Sequence, residues 1–149
     1  MLTVSVKTFN EFTIDELYDV LQLRSEVFVV EQDCVYQDLD GKDKKALHVI
    51  GSDAAGKVVA YTRLFDAGDY FDAASIGRVV VSEYARAFGY GHTIIKASIV
   101  AIDRHYNTKN IKISAQTYLK KFYESHGFSQ IGEEYLEDGI PHIAMVING

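Results

Sequence analysis

The sequence contains only one cysteine, Cys34, among its 149 residues. A single thiol cannot close an internal disulfide or supply a cysteine metal site, and this composition is typical of a reducing compartment. The apolar runs are also too short for a signal peptide or for a membrane-spanning helix of about 20 residues. We therefore expect a cytoplasmic protein with no metal ion and no membrane partner, in which Cys34 is packed rather than nucleophilic.

Basic residues are scarcer than acidic ones. The chain has 15 Lys and Arg against 21 Asp and Glu, so its formal net charge at pH 7 is −6. Binding to nucleic acid without regard to sequence depends on Lys and Arg that neutralise phosphates, so we expect no nucleic-acid partner. An acidic surface instead favours a cationic partner, such as an amine.

The order of the predicted elements indicates one α/β domain with a mixed sheet. Residues 2–9 alternate apolar and polar side chains, as in a half-buried strand. Thr13 and Glu16 have the spacing of a capping box, and apolar residues at helical spacing extend the first helix to about Val30. Further strands are predicted at 46–52, 57–65, 74–81, 111–115, 128–134 and 140–147, with helices from about 90 and at 116–126, the latter ended by Gly127.

The segment Val81–His92 connects a predicted buried strand to a predicted helix. Gly89 and Gly91 let an anion approach the backbone, and the free N–H groups at a helix start favour phosphate. Arg86 adds a positive charge. A Walker loop would need Gly-Lys-Ser/Thr, and a dinucleotide fingerprint would need a third glycine and a later acidic residue. The segment therefore predicts a diphosphate-binding loop, with a simple tight turn as the alternative.

This segment, written as Val-x4-Arg-x2-Gly-Tyr-Gly, resembles the pyrophosphate-binding signature of the GNAT superfamily of acetyl-CoA-dependent N-acetyltransferases. The segment Phe122–Phe128 resembles its other recurrent element, a helix that carries a tyrosine and closes at Gly-Phe. Leu23–Gln32, Asp40-Gly41 and Ile76–Val79 further resemble the ElaA-like branch. The resemblance covers nearly the whole chain. It implies a single GNAT-like N-acetyltransferase domain over residues 1–149, with a mostly antiparallel sheet of about seven strands flanked by three to four helices.

The resemblance also implies acetyl-CoA as cosubstrate and assigns residues to it. The strand backbone at Val79, Val80 and Val81 would hydrogen-bond the pantetheine arm. Gln116, at the start of the third helix, would contact the other side of the cofactor. The diphosphate would be held by Arg86, Ala87, Phe88, Gly89, Tyr90, Gly91 and His92.

Tyr123 is the catalytic acid that the resemblance implies. A thiolate with a pKa of about 8.5 leaves more readily when a hydroxyl donates a proton to it, and such acid catalysis contributes roughly 10²–10⁴ in rate. Tyr123 shares a helix face with Leu119 and Phe122, so packing alone is the alternative role.

The sequence leaves the general base open. An amine with a pKa of about 10.4 must lose a proton before it attacks. Many superfamily members carry a glutamate on the strand that here reads Ser75–Arg78, and this sequence has none there. The candidates are Glu31, His48 and His142, and each of them could instead have a purely structural role.

We therefore predict an N-acetyltransferase that acts on the primary amine of a small-molecule or peptide acceptor by direct attack on the thioester. A non-catalytic acyl-CoA-binding regulatory module is one alternative. A dinucleotide-dependent oxidoreductase is another, which the incomplete fingerprint disfavours. No residue identifies the acceptor, and a homodimer stays open. The acidic loop 33–43 is either solvated or part of the acceptor wall, and Arg78 is expected to orient an acid.

Overall fold

A computed structural model describes residues 1–149. It contains seven β-strands and three α-helices, joined by short 3-10 and π-helical segments. The strands are β1 Thr3–Thr8, β2 Leu47–Ser52, β3 Val58–Phe65, β4 Ala74–Val81, β5 Ile111–Gln116, β6 Ser129–Glu137 and β7 Ile140–Ile147, and the helices are α1 Ile14–Arg24, α2 Tyr90–Tyr106 and α3 Lys120–Glu124. None of these helices is both long and apolar enough to cross a membrane.

All seven strands form one sheet in the order β1-β2-β3-β4-β5-β7-β6. Every neighbouring pair is antiparallel except β4 and β5, which are parallel. These two strands pair only at Ala74 with Ile111 and at Ser75 with Lys112. The predicted α/β fold with a mostly antiparallel sheet is thus confirmed, and the sheet opens at its centre where β4 and β5 separate.

The sheet is covered on both faces. The smaller core lies beneath α1 and consists of Val20, Leu23, Val27, Ile50, Val58, Tyr61 and Val80. The larger core joins α2 and α3 to the other face and includes Ile94, Ile95, Ile102, Tyr123, Leu64, Ile113 and Met145. Strand β3 is buried along its whole length because both layers cover it.

The first helix begins as its capping pattern predicts. The Thr13 hydroxyl accepts a hydrogen bond from the Glu16 backbone N–H, and the Glu16 carboxylate accepts one from the Thr13 N–H, so both ends of the capping box are made. The predicted extension to about Val30 is also helical, but Ser25–Glu31 is a π-helix. This wider turn brings the end of the helix, at Glu31, to the opening between β4 and β5.

Helix α3 is shorter than the sequence predicts. The predicted range 116–126 contains a 3-10 turn at Thr117–Leu119, five α-helical residues and a final turn. Gly127 has φ +93°, so it ends the helix in the left-handed conformation as expected. Strand β6 runs to Glu137, three residues beyond the predicted end, because the turn to β7 needs only Asp138 and Gly139, which both have positive φ.

Candidate active site

A cleft forms where β4 and β5 separate, with a cavity of about 520 Å³. Beyond Ser75, β4 has no strand partner on the side of β5, so its backbone polar groups there are open to a ligand. Predicted site residues that line the cavity are Glu31, Val79, Val80, Val81, Arg86, Gly89, Gly91, His92, Gln116, Tyr123 and His142. The topology thus brings together residues from the first helix, the central strands and the last strand.

The predicted phosphate loop borders this cavity. Gly89 has φ +72°, a conformation that favours glycine, and it precedes α2 without giving the helix a side-chain cap. A Cβ at Gly91 would lie 3.5 Å from two ring carbons of Phe122, which is ordinary contact. The glycine at 91 is therefore not required by packing, and its lack of a side chain leaves the helix start accessible from the cleft.

Three residues of the predicted diphosphate set do not line the cavity. Phe88 is 64% exposed and its ring centroid lies 5.5 Å from that of Tyr90, and Ala87 is also exposed. Their side chains lie outside the cleft, so any contact of these residues with a ligand would have to come from the backbone.

Arg86 and Glu31 form an ion pair across the cleft wall. Two nitrogens of the Arg86 guanidinium donate to the two carboxylate oxygens of Glu31, at 2.6 and 2.8 Å, and the third donates to the Val81 carbonyl at 3.1 Å. The Glu31 hydrogen bond raises the pKa of Arg86. A residue predicted to bind diphosphate and a residue predicted as base are therefore paired with each other, which leaves neither free.

His92 packs against the third helix. Its Nδ1 atom lies 2.8 Å from Nε2 of His126, and its ring centroid lies 4.7 Å from that of Phe122. Burial lowers the pKa of His126, and the nearby His92 adds to this effect. This contact ties the start of α2 to α3 at the edge of the cavity.

Tyr123 lines the same cavity as Glu31 and is 4% exposed. Its ring packs in the larger core, 5.1 Å from that of Phe122 and 5.8 Å from that of Phe128, between centroids. Its hydroxyl makes no hydrogen bond within the protein, and it is not among the fully buried side-chain atoms that lack a partner, so the oxygen itself reaches the cavity. Burial raises the pKa of Tyr123 well above its usual range, with a smaller effect of Tyr118, so the phenol stays protonated at neutral pH.

His48 lies outside the cleft. It is 1% exposed, and its Nε2 atom lies 2.9 Å from the Asp43 carbonyl. A carbonyl only accepts, so Nε2 carries the proton and Nδ1 accepts from the Tyr61 hydroxyl at 2.5 Å. Burial lowers the pKa of His48, which matches a neutral ring with both nitrogens satisfied. This placement gives His48 a structural role and does not favour it as the base.

His142 lines the cavity from β7 and is 6% exposed. Its Nδ1 atom lies 2.7 Å from the carbonyl of Ile140, and its Nε2 atom lies 3.3 Å from Oε2 of Glu137. The pairing register puts His142 opposite Gln116 on β5 and opposite Tyr135 on β6. Of the three base candidates, His142 is the one that lines the cleft without an arginine partner, and its Nε2 atom faces only the Glu137 carboxylate.

The acidic loop is held down by arginines rather than solvated. Asp38 and Asp43 are each 8% exposed. Arg24, itself 1% exposed, donates to Asp38 at 2.9 Å and to Asp43 at 2.7 Å. Arg63 joins Asp43 to Asp40, at 3.0 and 2.7 Å. The loop therefore forms a fixed wall beside the cleft.

Arg78 completes this network. Its Nε atom donates to Asp38 at 2.8 Å, and its φ of +48° marks an irregularity in β4 beside the bulge in its pairing with β3. The expectation that Arg78 orients an acid agrees with this contact. The same wall carries Tyr36, whose hydroxyl donates to Asp38 at 2.9 Å and whose ring lies 5.5 Å from the Arg78 guanidinium carbon.

Comparison with known proteins assigns this fold and cleft to a protein family. A family model described as an acetyltransferase (GNAT) domain matches residues 9–148. The chain belongs to the GNAT acetyltransferase family. It is 41% identical over 138 residues to the protein ElaA of Escherichia coli K12, covering 91% of this chain and 90% of ElaA. A UPF0039 protein of Synechocystis is 39% identical over 142 residues, covering 95% of this chain and 92% of that protein.

Solved structures agree with this assignment. The crystal structure of an acyl-CoA N-acyltransferase from Pseudomonas aeruginosa superposes with a TM-score of 0.92 at 40% identity and 99% coverage of both chains. That of Escherichia coli ElaA superposes with a TM-score of 0.91 at 37% identity, covering 99% of this chain and 100% of the other. The predicted resemblance to GNAT enzymes and to their ElaA-like branch is confirmed, and the chain is an acyltransferase.

The cleft fits the acyl-CoA that the GNAT fold binds. An uncapped helix start beside Gly91 offers N–H groups to a diphosphate, and the unpaired side of β4 offers a strand edge to an extended arm. No group of three or more His, Cys, Asp or Glu side chains that could hold a metal ion occurs in the structure.

Sequence reasoning missed a polar group at the far side of the cavity. Ser114 contacts both Tyr135 and Glu137 there, next to His142. The only sequence signal was the short break between the predicted strands 128–134 and 140–147, which places the end of β6 beside the start of β7. Which side chains meet across that hairpin depends on the register, and the sequence does not specify it.

Proposed function

We propose that this GNAT enzyme transfers the acetyl group of acetyl-CoA to a primary amine by direct attack on the thioester, within a single catalytic domain over residues 1–149. The observation that carries the proposal is Tyr123, whose ring is buried and whose protonated hydroxyl, without a hydrogen-bond partner in the protein, lines the cleft between β4 and β5. A hydroxyl that reaches a cleft without a protein partner is free to hydrogen-bond a ligand there.

Tyr123 is assigned as the acid that protonates the departing thiolate. Its raised pKa keeps the phenol protonated at neutral pH, so the hydroxyl can donate to the sulfur as negative charge develops on the departing thiolate. The rings of Phe122 and Phe128 pack edge-to-face against the Tyr123 ring and hold it in an apolar setting. The low local polarity strengthens the hydrogen bond to a developing negative charge.

The remaining contacts follow the predicted assignments. The backbone of Val79, Val80 and Val81 is proposed to bind the pantetheine arm, and Gly89, Gly91 and His92 to bind the diphosphate. Gln116 contributes a cleft-facing amide, which donates to Gln32 at 3.4 Å and is therefore ready to exchange partners. Arg86 reaches the diphosphate only if it leaves Glu31, and this competition makes Glu31 a modulator of cofactor binding rather than the base.

The acceptor is proposed to be a small-molecule or peptide amine, and the enzyme to act in the cytosol, where a single free thiol such as Cys34 stays reduced. The test is a panel of amines incubated with acetyl-CoA, in which released thiol is measured together with the mass of the amine product. Transferase activity gives thiol and acetylated amine in equal amounts. Tight acetyl-CoA binding with no thiol released above background for any amine would instead support the non-catalytic binding module.

A further inference from the structure

A cluster of polar side chains occupies the end of the cleft that the CoA contacts leave unused. Ser114 comes from β5, Tyr135 and Glu137 from β6, and His142 from β7. The Ser114 hydroxyl donates to Glu137 Oε1 at 3.1 Å and accepts from the Tyr135 hydroxyl. The Tyr135 and His142 rings stack with their centroids 6.2 Å apart. Three strands therefore hold one carboxylate and one imidazole in fixed relative positions.

The hydrogen bonding of His142 determines where its proton lies. The Ile140 carbonyl, 2.7 Å from Nδ1, can only accept, so Nδ1 carries a proton. The other ring nitrogen, Nε2, lies 3.3 Å from Oε2 of Glu137. If the ring is neutral, Nε2 of His142 and Oε2 of Glu137 are both hydrogen-bond acceptors and face each other. This arrangement is favourable only when a proton or a cationic donor lies between the two atoms.

Glu137 and Asp138 are the cleft carboxylates without an arginine or lysine partner, and Glu137 is the one that lies beside His142. Glu31, which also lines the cavity, is neutralised by Arg86. Glu137 has no salt bridge to arginine or lysine, and its side chain is 44% exposed although His142 beside it is 8% exposed. An ammonium group that entered the cavity would therefore find a carboxylate without a permanent cation.

We propose that Glu137 and His142 form the acceptor subsite, in which the carboxylate binds the substrate ammonium and Nε2 of His142 removes its proton. This inference rests on the proposed function and specifies its substrate class: an acceptor amine that is cationic at neutral pH, such as a primary alkylamine. Ser114 and Tyr135 act as positioning residues, because Ser114 donates to the carboxylate and Tyr135 holds Ser114 and stacks on His142.

The proton balance of the step is complete without another reactant. The ammonium gives one proton to His142 Nε2, and the resulting imidazolium is stabilised by Glu137 until it releases the proton to water. The neutral amine attacks the thioester carbon, so a C–N bond forms and the C–S bond breaks. The sulfur takes the Tyr123 proton, and the second amine proton restores the phenol. The products are an amide, the free thiol and one proton in solution.

The test compares Glu137→Gln with Glu134→Gln, which removes the same charge from an exposed position on β6 that does not line the cavity. We expect Glu137→Gln to raise the KM for a primary alkylamine about 10- to 100-fold. This factor corresponds to the loss of one hydrogen bond between charged groups, which is about 1.5–3 kcal/mol. The KM for acetyl-CoA should stay within twofold. Glu134→Gln should change neither constant.

A second variant tests the base. His142→Gln should lower kcat for the alkylamine about 100-fold or more, but should affect an aromatic amine of low basicity far less, because that acceptor is already neutral at pH 7. A general loss of folding would lower the rate with both acceptor amines equally, and melting curves of the variant would detect such a loss. The inference is overturned if Glu137→Gln keeps the wild-type amine KM, or if both acceptors lose rate equally in a folded His142→Gln enzyme. Absence of thiol release from wild-type enzyme with every amine would instead refute the proposed function itself.

Discussion

Replacing Tyr123 with phenylalanine removes one oxygen atom from the cleft and leaves the packing of the ring in place. Because the hydroxyl has no hydrogen-bond partner in the protein, no internal bond is lost. We expect the free energy of unfolding to change by less than about 0.5 kcal/mol, since the hydroxyl has no partner in the protein to lose.

The effect on catalysis should be large. A positioned acid contributes about 10²–10⁴ in rate, so the chemical step of Tyr123→Phe should slow about 100-fold or more, equivalent to at least about 2.7 kcal/mol of transition-state stabilisation. The affinity for acetyl-CoA should change little, because the proposed diphosphate contacts at Gly89 and Gly91 lie in a different segment. A large effect on rate with almost none on stability or binding is specific to an acid.

The matched control is Tyr61→Phe, which removes the same atom from a tyrosine that is 0% exposed. The Tyr61 hydroxyl donates to His48, so this change leaves a buried acceptor unpaired and should cost about 1–3 kcal/mol of stability. Each kcal/mol lowers the melting temperature of a chain of this size by about 2–4 °C. Turnover at a temperature well below the melting point should stay near the wild-type value.

The assay is single-turnover thiol release at saturating acetyl-CoA and amine, so that product release does not mask the chemical step. Thermal melts and isothermal titration with CoA accompany it for both variants. If Tyr123→Phe retains the wild-type single-turnover rate, or if its rate falls only in proportion to lost stability, then the hydroxyl is not the acid and the thiolate leaves without its help.

Three further predictions concern the cofactor site and the core. Gly91→Ala should stabilise α2 by up to about 0.5–1 kcal/mol, because the added Cβ contacts Phe122 without a clash. The same Cβ should block one charge-assisted hydrogen bond to the diphosphate, so CoA binding in titrations should weaken about 10- to 150-fold. Glu31→Gln should tighten CoA binding about 1.5- to 5-fold by releasing Arg86 from a half-exposed ion pair; unchanged or weaker binding would contradict this competition. Stability in urea should fall as the pH drops below about 6.5, the ordinary pKa of histidine, because His48 is protonated in the unfolded chain but stays neutral when buried. The contribution of His48 to this slope is at most about 1.4 kcal/mol per pH unit. His48→Gln should make the dependence of stability on pH less steep.

The parts of the fold that depend on local patterns could be predicted from the sequence. The capping box at Thr13 and the left-handed end at Gly127 each require particular residues at a fixed spacing, and both are found as expected. The strands follow from alternation and from short apolar runs, and their bounds agree within a few residues. Gly89 was expected at a turn for the same reason, and it has φ +72°, whereas the role of Gly89 and Gly91 in phosphate binding stays a prediction.

The tertiary pairings could not be predicted in this way. Asp38, Asp40 and Asp43 have the composition of a solvated loop, and only the fold brings them to Arg24, Arg63 and Arg78, between 14 and 40 residues away. The same holds for the π-helical turn at Ser25–Glu31, which continues the helical spacing of α1 but directs Glu31 toward Arg86. Charged side chains carry no sequence signal for which opposite charge they will meet.

The distribution of charge along the cleft follows from these pairings. Three arginines and three aspartates neutralise one another in the wall formed by loop 33–43, and Arg86 with Glu31 neutralise one another beside the phosphate loop. What remains uncompensated is the uncapped start of α2, which attracts an anion, and the carboxylates of Glu137 and Asp138, which attract a cation. The two substrates that the proposed reaction joins have these opposite charges at neutral pH, a diphosphate and an ammonium. A cleft with a single sign of charge would bind one of them at the expense of the other, so the internal neutralisation of the wall is what lets one cavity accept both.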